Sequence, residues 1–254
     1  MSLTARNADI HVLYERSVQD TAFDIRFLRR VFRKEHGREP MSLREDFCGT
    51  GQLCAHWVRS HPGRTAVGLD LDAPTLAWGE RQHAAPLGDA RTRVQLLQRN
   101  VLDGAGTPVD ITVAFNFSYC IFREREEMLR YVRRVHGDLG PEGMFCLDIH
   151  GGPDAQVETE EVKRLQGFDY VWEQAPIDAV SARGMRYIHF RFRDGTELKR
   201  AFSYDWRLWT LPELRDLLQE AGYSRVDVYW EGDDGKGGGN GIFRKVVRAE
   251  NEAS

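Results

Sequence analysis

From Ser42 to Ile149 the chain repeats one unit, a short apolar strand, a turn and a stretch with helical spacing. The strands read as Leu43–Phe47, Thr65–Leu71, Val94–Gln98, Ile111–Phe115 and Met144–Ile149. Helices over about Gln52–Ser60, Pro74–Ala84 and Glu124–Asp138 fall between them. Strands alternating with helices on short connections imply an α/β fold with a mostly parallel, doubly wound sheet. Ligands of such sheets sit at the carboxyl ends of the strands, where the strand order reverses. A basic-faced helix over Asp20–His36 precedes this region. It carries Phe23, Phe27, Leu28, Val31 and Phe32 at helical spacing, and Gly37 stops it. Arg29, Arg30, Arg33 and Lys34 on its other face read as a solvated surface.

From Phe168 the period changes to two. Phe168, Tyr170 and Trp172 form one alternating run, Ile188, Phe190 and Phe192 a second, and Leu198, Phe202 and Tyr204 continue beyond the hairpin signal Asp194-Gly195. A small antiparallel insert after the fifth strand is expected. Thr210 and Glu213 then form a capping box ahead of Leu214, Leu217 and Leu218, and Gly222 ends that helix. Val226–Trp230 and Ile242–Val247 read as two last strands around the glycine-rich loop 235–241. The expectation is a seven-stranded sheet with a terminal antiparallel hairpin. One domain is read over 1–254, divided into 1–41, a core at 42–150, the insert at 151–208 and a closing helix and hairpin at 209–254.

Composition narrows the function. The chain has 254 residues with 35 Lys plus Arg against 39 Asp plus Glu, a net charge of −4. That balance counts against a nucleic-acid grip, which calls for a basic surface. No apolar run reaches the roughly 18–20 residues of a membrane span. The first residues lack the apolar stretch of a secretory signal, so a cytoplasmic location is expected. The four cysteines, Cys48, Cys54, Cys120 and Cys146, show neither CxxC spacing nor histidine pairs at zinc distance. They read as reduced, buried thiols, with no metal site.

The strongest local signal is Glu45-Asp46-Phe47-Cys48-Gly49-Thr50-Gly51, where a strand ends and a helix begins. Glycines let the backbone turn sharply and approach a ligand closely. The helix that follows presents free N–H groups and its positive end. Nineteen residues after Gly51 comes Asp70, at the end of the next strand, where a carboxylate can hold both hydroxyls of an adenosine ribose. Together these point to an adenosine-containing ligand. A dinucleotide turn would place a third glycine or alanine at position 54, where this chain has Cys54.

The segment Glu45–Gly51 resembles motif I of the class I S-adenosylmethionine-dependent methyltransferases, of the type that acts on small molecules. Later segments match in order. Asp70 sits where that family binds the ribose, and Leu71 is counted beside it. Asn100 and Val101 fall where the family places residues next to the adenine. Ile111–Asn116 resembles the strand that lines the methionine end, and Gly140–Gly143 its turn before the fifth strand. The resemblance implies S-adenosylmethionine as cofactor, with S-adenosylhomocysteine as product. It assigns Tyr14, Glu45, Gly49, Gly51, Asp70, Leu71, Asn100, Val101 and Asn116 to cofactor binding, and residues 1–41 to a lid. Phe47 departs from the family's usual glycine or alanine. Arg44 is unusual in a central strand. It reads either as part of an ion-pair cluster with Glu45 and Asp46 or as a clamp for the ligand's carboxylate.

Asn116–Tyr119 follow the fourth strand and His150 the fifth, which places His150 and Tyr119 as candidate general bases on the acceptor side. Asn116-Phe117-Ser118-Tyr119 matches neither the tetrad of amino-methylating nucleic-acid enzymes nor the Pro-Cys pair of cytosine C5 enzymes. A small-molecule acceptor is expected, with no nucleic acid and no membrane. The aromatic insert reads as an acceptor wall or as a surface pairing two copies. Two other readings stay open: an NAD-dependent oxidoreductase, and a non-catalytic adenosine-ligand sensor or partner subunit.

Overall fold

A computed structural model describes residues 2–230 and 245–250. Five strands lie parallel, β1 (Ser42–Asp46), β2 (Thr65–Asp70), β3 (Val94–Gln98), β4 (Val109–Ala114) and β5 (Leu139–Leu147), in the order β5-β4-β1-β2-β3. The order reverses between β1 and β4, so their carboxyl ends open a crevice. Beyond β5, strand β11 (Lys245–Glu250) runs antiparallel to it and to β10 (Arg225–Trp230). The turn expected at Gly140–Gly143 is instead a bulge inside the parallel strand β5. Val109 pairs with Leu139, and Ile111 already pairs with Met144. Loop 235–241 and Lys236 lie outside the described residues.

A short helix, α4 (Ala73–Gly79), follows β2, and helices cover both faces of the sheet. On one, α2 (Thr21–His36) and α3 (Gln52–Arg59) bury Leu28, Phe32, Cys54 and Trp57 against Leu43, Ile111 and Val113. On the other, α5 (Arg125–Gly137) and α6 (Leu211–Glu220) bury Met128, Val132, Val135, Leu214 and Leu217. Each such side chain contributes about 1.5–3 kcal/mol by leaving water. Helix α2 starts where Asp20 accepts from the Phe23 N–H at 2.9 Å, and ends at Gly37 in a left-handed conformation. Phe23, read as part of its apolar face, is 40% exposed and stacks on Phe27. Helix α6 carries the expected capping box of Thr210 and Glu213.

The insert is a separate antiparallel sheet of four strands in sequence order, β6 (Thr159–Leu165), β7 (Phe168–Gln174), β8 (Arg183–Phe192) and β9 (Glu197–Arg207). Strand β6 escapes a reading by pattern because it is an edge strand with polar side chains on both faces. The N-terminal segment holds a helix the periodicity did not reveal, α1 (Ile10–Val18), capped by Asp9. Its Leu13 packs on Phe168, Ile188 and Phe190 of the insert.

Arg44 lies in the middle of the parallel sheet and is 0% exposed. Its guanidinium donates to both Asp46 oxygens at 2.6 and 2.9 Å, to Asp138 Oδ2 at 2.7 Å and to the Val101 carbonyl at 3.1 Å. Of the expected ion-pair cluster, Arg44 and Asp46 take part, joined by Asp138, while Glu45 meets Cys54 instead. Removing one member of a buried ion pair strands the other charge, at about 3–5 kcal/mol. Arg44→Ala is therefore expected to lower the melting temperature by roughly 10 °C, given the roughly 2–4 °C per kcal/mol of a chain this size. Calorimetry checks this, and a shift under about 3 °C would show that the network is dispensable.

Candidate active site

The carboxyl ends of the parallel strands, α1 and the insert enclose a cavity of about 510 Å³, within the range of small-molecule sites. Its floor is the end of β1 with its turn (Glu45–Thr50), Asp70 after β2, Phe115–Ser118 after β4, and His150 after β5. Tyr14 and residues 17–19 of α1 and its end form the roof. The far wall is one face of the insert. Register puts Tyr170 and Trp172 of β7, Ile188 of β8, and Phe202, Tyr204 and Trp206 of β9 on the same side.

The turn after β1 is built by backbone geometry. Gly51 adopts φ +66° as the N-cap of α3, and a Cβ there would come within 2.5 Å of Leu96 Cδ2. Gly49, at φ +52°, has only Thr75 Cγ2 at 4.0 Å where its Cβ would point. Its missing side chain leaves room for a ligand at the turn. Asp70 braces the same turn, with Oδ2 accepting from the Gly49 N–H at 2.8 Å and Oδ1 from the Asp72 N–H at 2.9 Å. Roof and turn are joined through Glu15. Its carboxylate accepts from Thr50 Oγ1 at 2.5 Å and Gln52 Nε2 at 3.1 Å, and pairs with His83 Nε2 at 2.6 Å.

Three non-glycine residues on the floor hold positive φ: Phe47 at 57°, Asn116 at 58° and Phe117 at 58°. Such conformations cost on the order of 1–3 kcal/mol and persist where the surroundings enforce them. At Phe47 the enforcement is packing against Phe122 and Tyr131. At Asn116 and Phe117 it is the Asp148 carboxylate, which accepts one backbone N–H from each at 2.8 Å. That turn brings the Phe117 ring to 5.3 Å from the His150 ring and 6.0 Å from Trp206.

Of the residues expected at the site, the cavity contains Tyr14, Glu45, Gly49, Asp70, Asn116 and His150. Gly51 shapes the turn from behind. Leu71 follows Asp70 as a 62% exposed side chain beyond the lining. Asn100 Oδ1 caps a short 3-10 turn by accepting from the Leu102 N–H, and Val101 is core. Tyr119 is not brought to the cavity. The 3-10 turn Ser118–Ile121 rolls its ring into the core, where burial pushes the phenol well above its ordinary range and removes it as a base. Phe117, counted on the acceptor side with Asn116, lines the cavity, whereas the roles of Glu15, Asp148 and Trp172 were missed by sequence reasoning. Only Asp148, two residues before His150 at a strand end, carried a local signal.

Glu45 and His150 shift in opposite directions. Burial raises the Glu45 carboxyl to about 8, opposed by hydrogen bonds from the Cys54 thiol at 3.2 Å and the Cys54 backbone N–H and reinforced by Asp24 and Asp70. Burial lowers His150 to about 4, helped by the positive charge of Arg186 and opposed by Gln174. His150 is 3% exposed, and among the described residues neither ring nitrogen makes a hydrogen bond of good geometry. It is thus a buried, neutral imidazole beside Gln174 at the cavity wall.

Residues 48–145 match the family described as a methyltransferase domain. No curated protein matches the chain. Among solved structures it is similar to an S-adenosylmethionine-dependent methyltransferase from Clostridium acetobutylicum, at 15% identity and a TM-score of 0.74 over 95% of this chain and 97% of that one. It is also similar to the sugar N-methyltransferase KedS8 from Streptoalloteichus, at 20% identity and a TM-score of 0.68 over 99% and 95%. A third is CalS10, an amino pentose methyltransferase from Micromonospora echinaspora solved with S-adenosylmethionine bound. It shows 15% identity and a TM-score of 0.68 over 94% and 95%. At these identities the likeness is one of fold.

Glu45 also fixes a pH dependence. Its folded value of about 8 lies above its ordinary 4.5, so the folded state holds a proton the unfolded state has lost between those limits. Stability must fall as pH rises through that window. Glu45→Gln stays neutral throughout. Its melting temperature is expected to gain on the wild type steadily from pH 5 to pH 9, and parallel melting curves across that range would refute the buried, protonated carboxyl.

Proposed function

We infer that this chain, an S-adenosylmethionine-dependent methyltransferase of class I, passes the methyl group to a small molecule held between the parallel sheet and the insert. The observation that carries this is the cavity of about 510 Å³ between the parallel sheet and the insert, with the turn after β1 at one side and His150 at another. A cavity of that size suits a small acceptor. The sugar and amino pentose methyltransferases among its structural neighbours support the same reading. The hairpin β10–β11 beyond β5 supports the seven-stranded arrangement of that class. In this reading residues 1–41 close the cofactor end, 42–150 form the core, 151–208 wall the acceptor, and 209–254 complete the sheet. Four free, buried cysteines suit a cytoplasmic protein.

S-adenosylmethionine, when bound, supplies a methyl group on a sulfonium that needs no further activation. The chain's part is to hold, align and exclude water. Asp70 suits the ribose hydroxyls, and its two turn-bracing bonds fix its orientation. Gly49 gives the ligand backbone clearance. Glu45, poised to lose its proton near pH 8, gains a reason to ionise when a cation arrives beside it. Tyr14 holds an aromatic face over the cavity and leans on Phe202 at 4.9 Å. Such a face suits a cationic sulfonium. The Asn116–Phe117 turn, fixed by Asp148, and Trp206 close the space around His150.

Isothermal titration with S-adenosylmethionine, S-adenosylhomocysteine and NAD tests the reading. Both sulfur ligands are expected to bind and NAD to give no heat. Asp70→Ala should weaken binding by about 1.5–3 kcal/mol, roughly ten- to a hundredfold. If neither sulfur ligand binds at millimolar concentration, the assignment fails. Binding of the cationic ligand at pH 7 should also release protons, because Glu45 ionises. Heats that do not change between buffers of different ionisation enthalpy would separate Glu45 from the cofactor.

A further inference from the structure

Strand β6 leaves one edge of the insert sheet open. Its two-residue loop to β7 makes Leu165 and Phe168 a hydrogen-bonded pair, and such pairs alternate along the ladder. Glu161 and Lys163 therefore spend their backbone groups on β7, whereas Glu160, Val162 and Arg164 point theirs away from the sheet. Among the described residues nothing bonds to those outward groups. The five central residues of the strand are exposed, Val162 at 49%. An open edge of this kind is a template for another strand.

Charge decides which strand fits. The edge reads Thr159-Glu160-Glu161-Val162-Lys163-Arg164-Leu165, two acids and two bases placed symmetrically about Val162. Charges on an edge ordinarily forbid pairing, because like charges set opposite each other repel. An antiparallel copy of this same strand, related by a two-fold axis through Val162, avoids that. It sets Glu161 opposite Lys163 and Glu160 opposite Arg164 on both sides of the axis. An axis through any of the four charged residues would set that residue against itself. The outward backbone groups agree with the same axis, since Val162 meets Val162 and Glu160 meets Arg164, each pair free to exchange two hydrogen bonds. Glu161 and Arg164 have no ion-pair partner among the described residues. Glu160 meets Arg191 at 3.0 Å in an exposed pair, and Lys163 gives one bond, to the Ser17 carbonyl, of the three an ammonium can give.

We propose that β6 pairs edge to edge with β6 of a second copy of this chain, joining two four-stranded inserts into one antiparallel sheet. The two-fold axis makes the contact self-complementary and closed. Residues directly opposite lie on one face of a sheet, so both aromatic walls share a face. Glu161 and Lys163 line the cavity, and the pairing sets Lys163 of one copy against Glu161 of the other. Each copy thereby brings a cation to the cavity lining of its neighbour. The aromatic face of the insert stays turned into the cavity, and the edge alone makes the dimer. One seven-residue strand is a contact at the small end of specific interfaces, so the pairing is reversible. It stands independently of the methyl-transfer reading.

Sedimentation velocity on the full chain, over roughly 1–100 μM, tests this. The wild type should pass from monomer towards dimer in that range. Glu161→Lys sets lysine against lysine and Lys163→Glu sets glutamate against glutamate, so each variant alone should dimerise at least about tenfold more weakly. Mixed in equal amounts, the two variants should recover a dimer at least as tight as the wild type, because the mixed pair opposes unlike charges at both positions. Val162→Pro removes an N–H that β7 does not use, so it should abolish the dimer while circular dichroism stays unchanged. A wild type still monomeric at the highest concentration, a single charge variant that dimerises as tightly as the wild type, a mixture that stays monomeric, or a folded Val162→Pro dimer would each overturn the proposal. The charge variants and their mixture decide the matter even if Val162→Pro does not fold.

Discussion

A guanidinium at the centre of a parallel sheet is an expensive thing to bury, since each ion loses several kcal/mol of hydration. Arg44 offsets that cost by satisfying every direction at once. It is bidentate to Asp46 on its own strand, reaches Asp138 at the end of α5, and meets the Val101 carbonyl between β3 and β4. Tyr131 of α5 donates to Asp46 from the same side. One side chain thus ties two segments, the end of α5 and the turn after β3, to the carboxyl end of β1. Asp46 is held there, the chain leaves it through Phe47 in a left-handed conformation, and the glycine turn begins at a fixed place. The cavity floor rests on that anchor.

The remaining walls are fixed by carboxylates of the same sort, each bracing backbone or a neighbouring element. Asp70 holds the Gly49 turn, and Asp148 holds the strained Asn116–Phe117 turn. Glu15 carries the roof down onto Thr50, Gln52 and His83. Lys163 ties the other edge of the roof to the insert by donating to the Ser17 carbonyl at 2.9 Å. A preorganised cavity follows, with strain concentrated at its floor and two titratable groups, Glu45 and His150, pushed in opposite directions by the same burial. That suits a reaction whose leaving group is already activated and whose catalyst works by position.

Much of this was legible because local chemistry carried it. The five strands, the helix over 21–36, the capping box at Thr210 and the hairpin at Asp194-Gly195 each follow from periodicity or turn residues within a few positions. What failed had no local mark. Strand β6 is polar on both faces, so only its pairing with β7 makes it a strand. Helix α1 is short and is held by contacts to distant residues such as Phe168 and Thr50. Tyr119 stands one turn from the cavity in sequence and faces the core in space. Asn100 spends its side chain on its own turn.

The sequence by itself determined the alternation of strand and helix, the glycine turn with Asp70 beyond it, and the kind of ligand such a turn accepts. These rest on backbone geometry and on spacings of a few residues, which do not depend on the rest of the chain. Tertiary structure alone decided which side chains face the cavity, that Arg44 is an anchor and no clamp for a ligand, and that Glu45 and His150 leave their ordinary ionisation ranges. Those outcomes depend on burial and on charges brought together from distant segments, Arg186 beside His150 and Glu15 over Thr50, and burial is a property of the packed molecule.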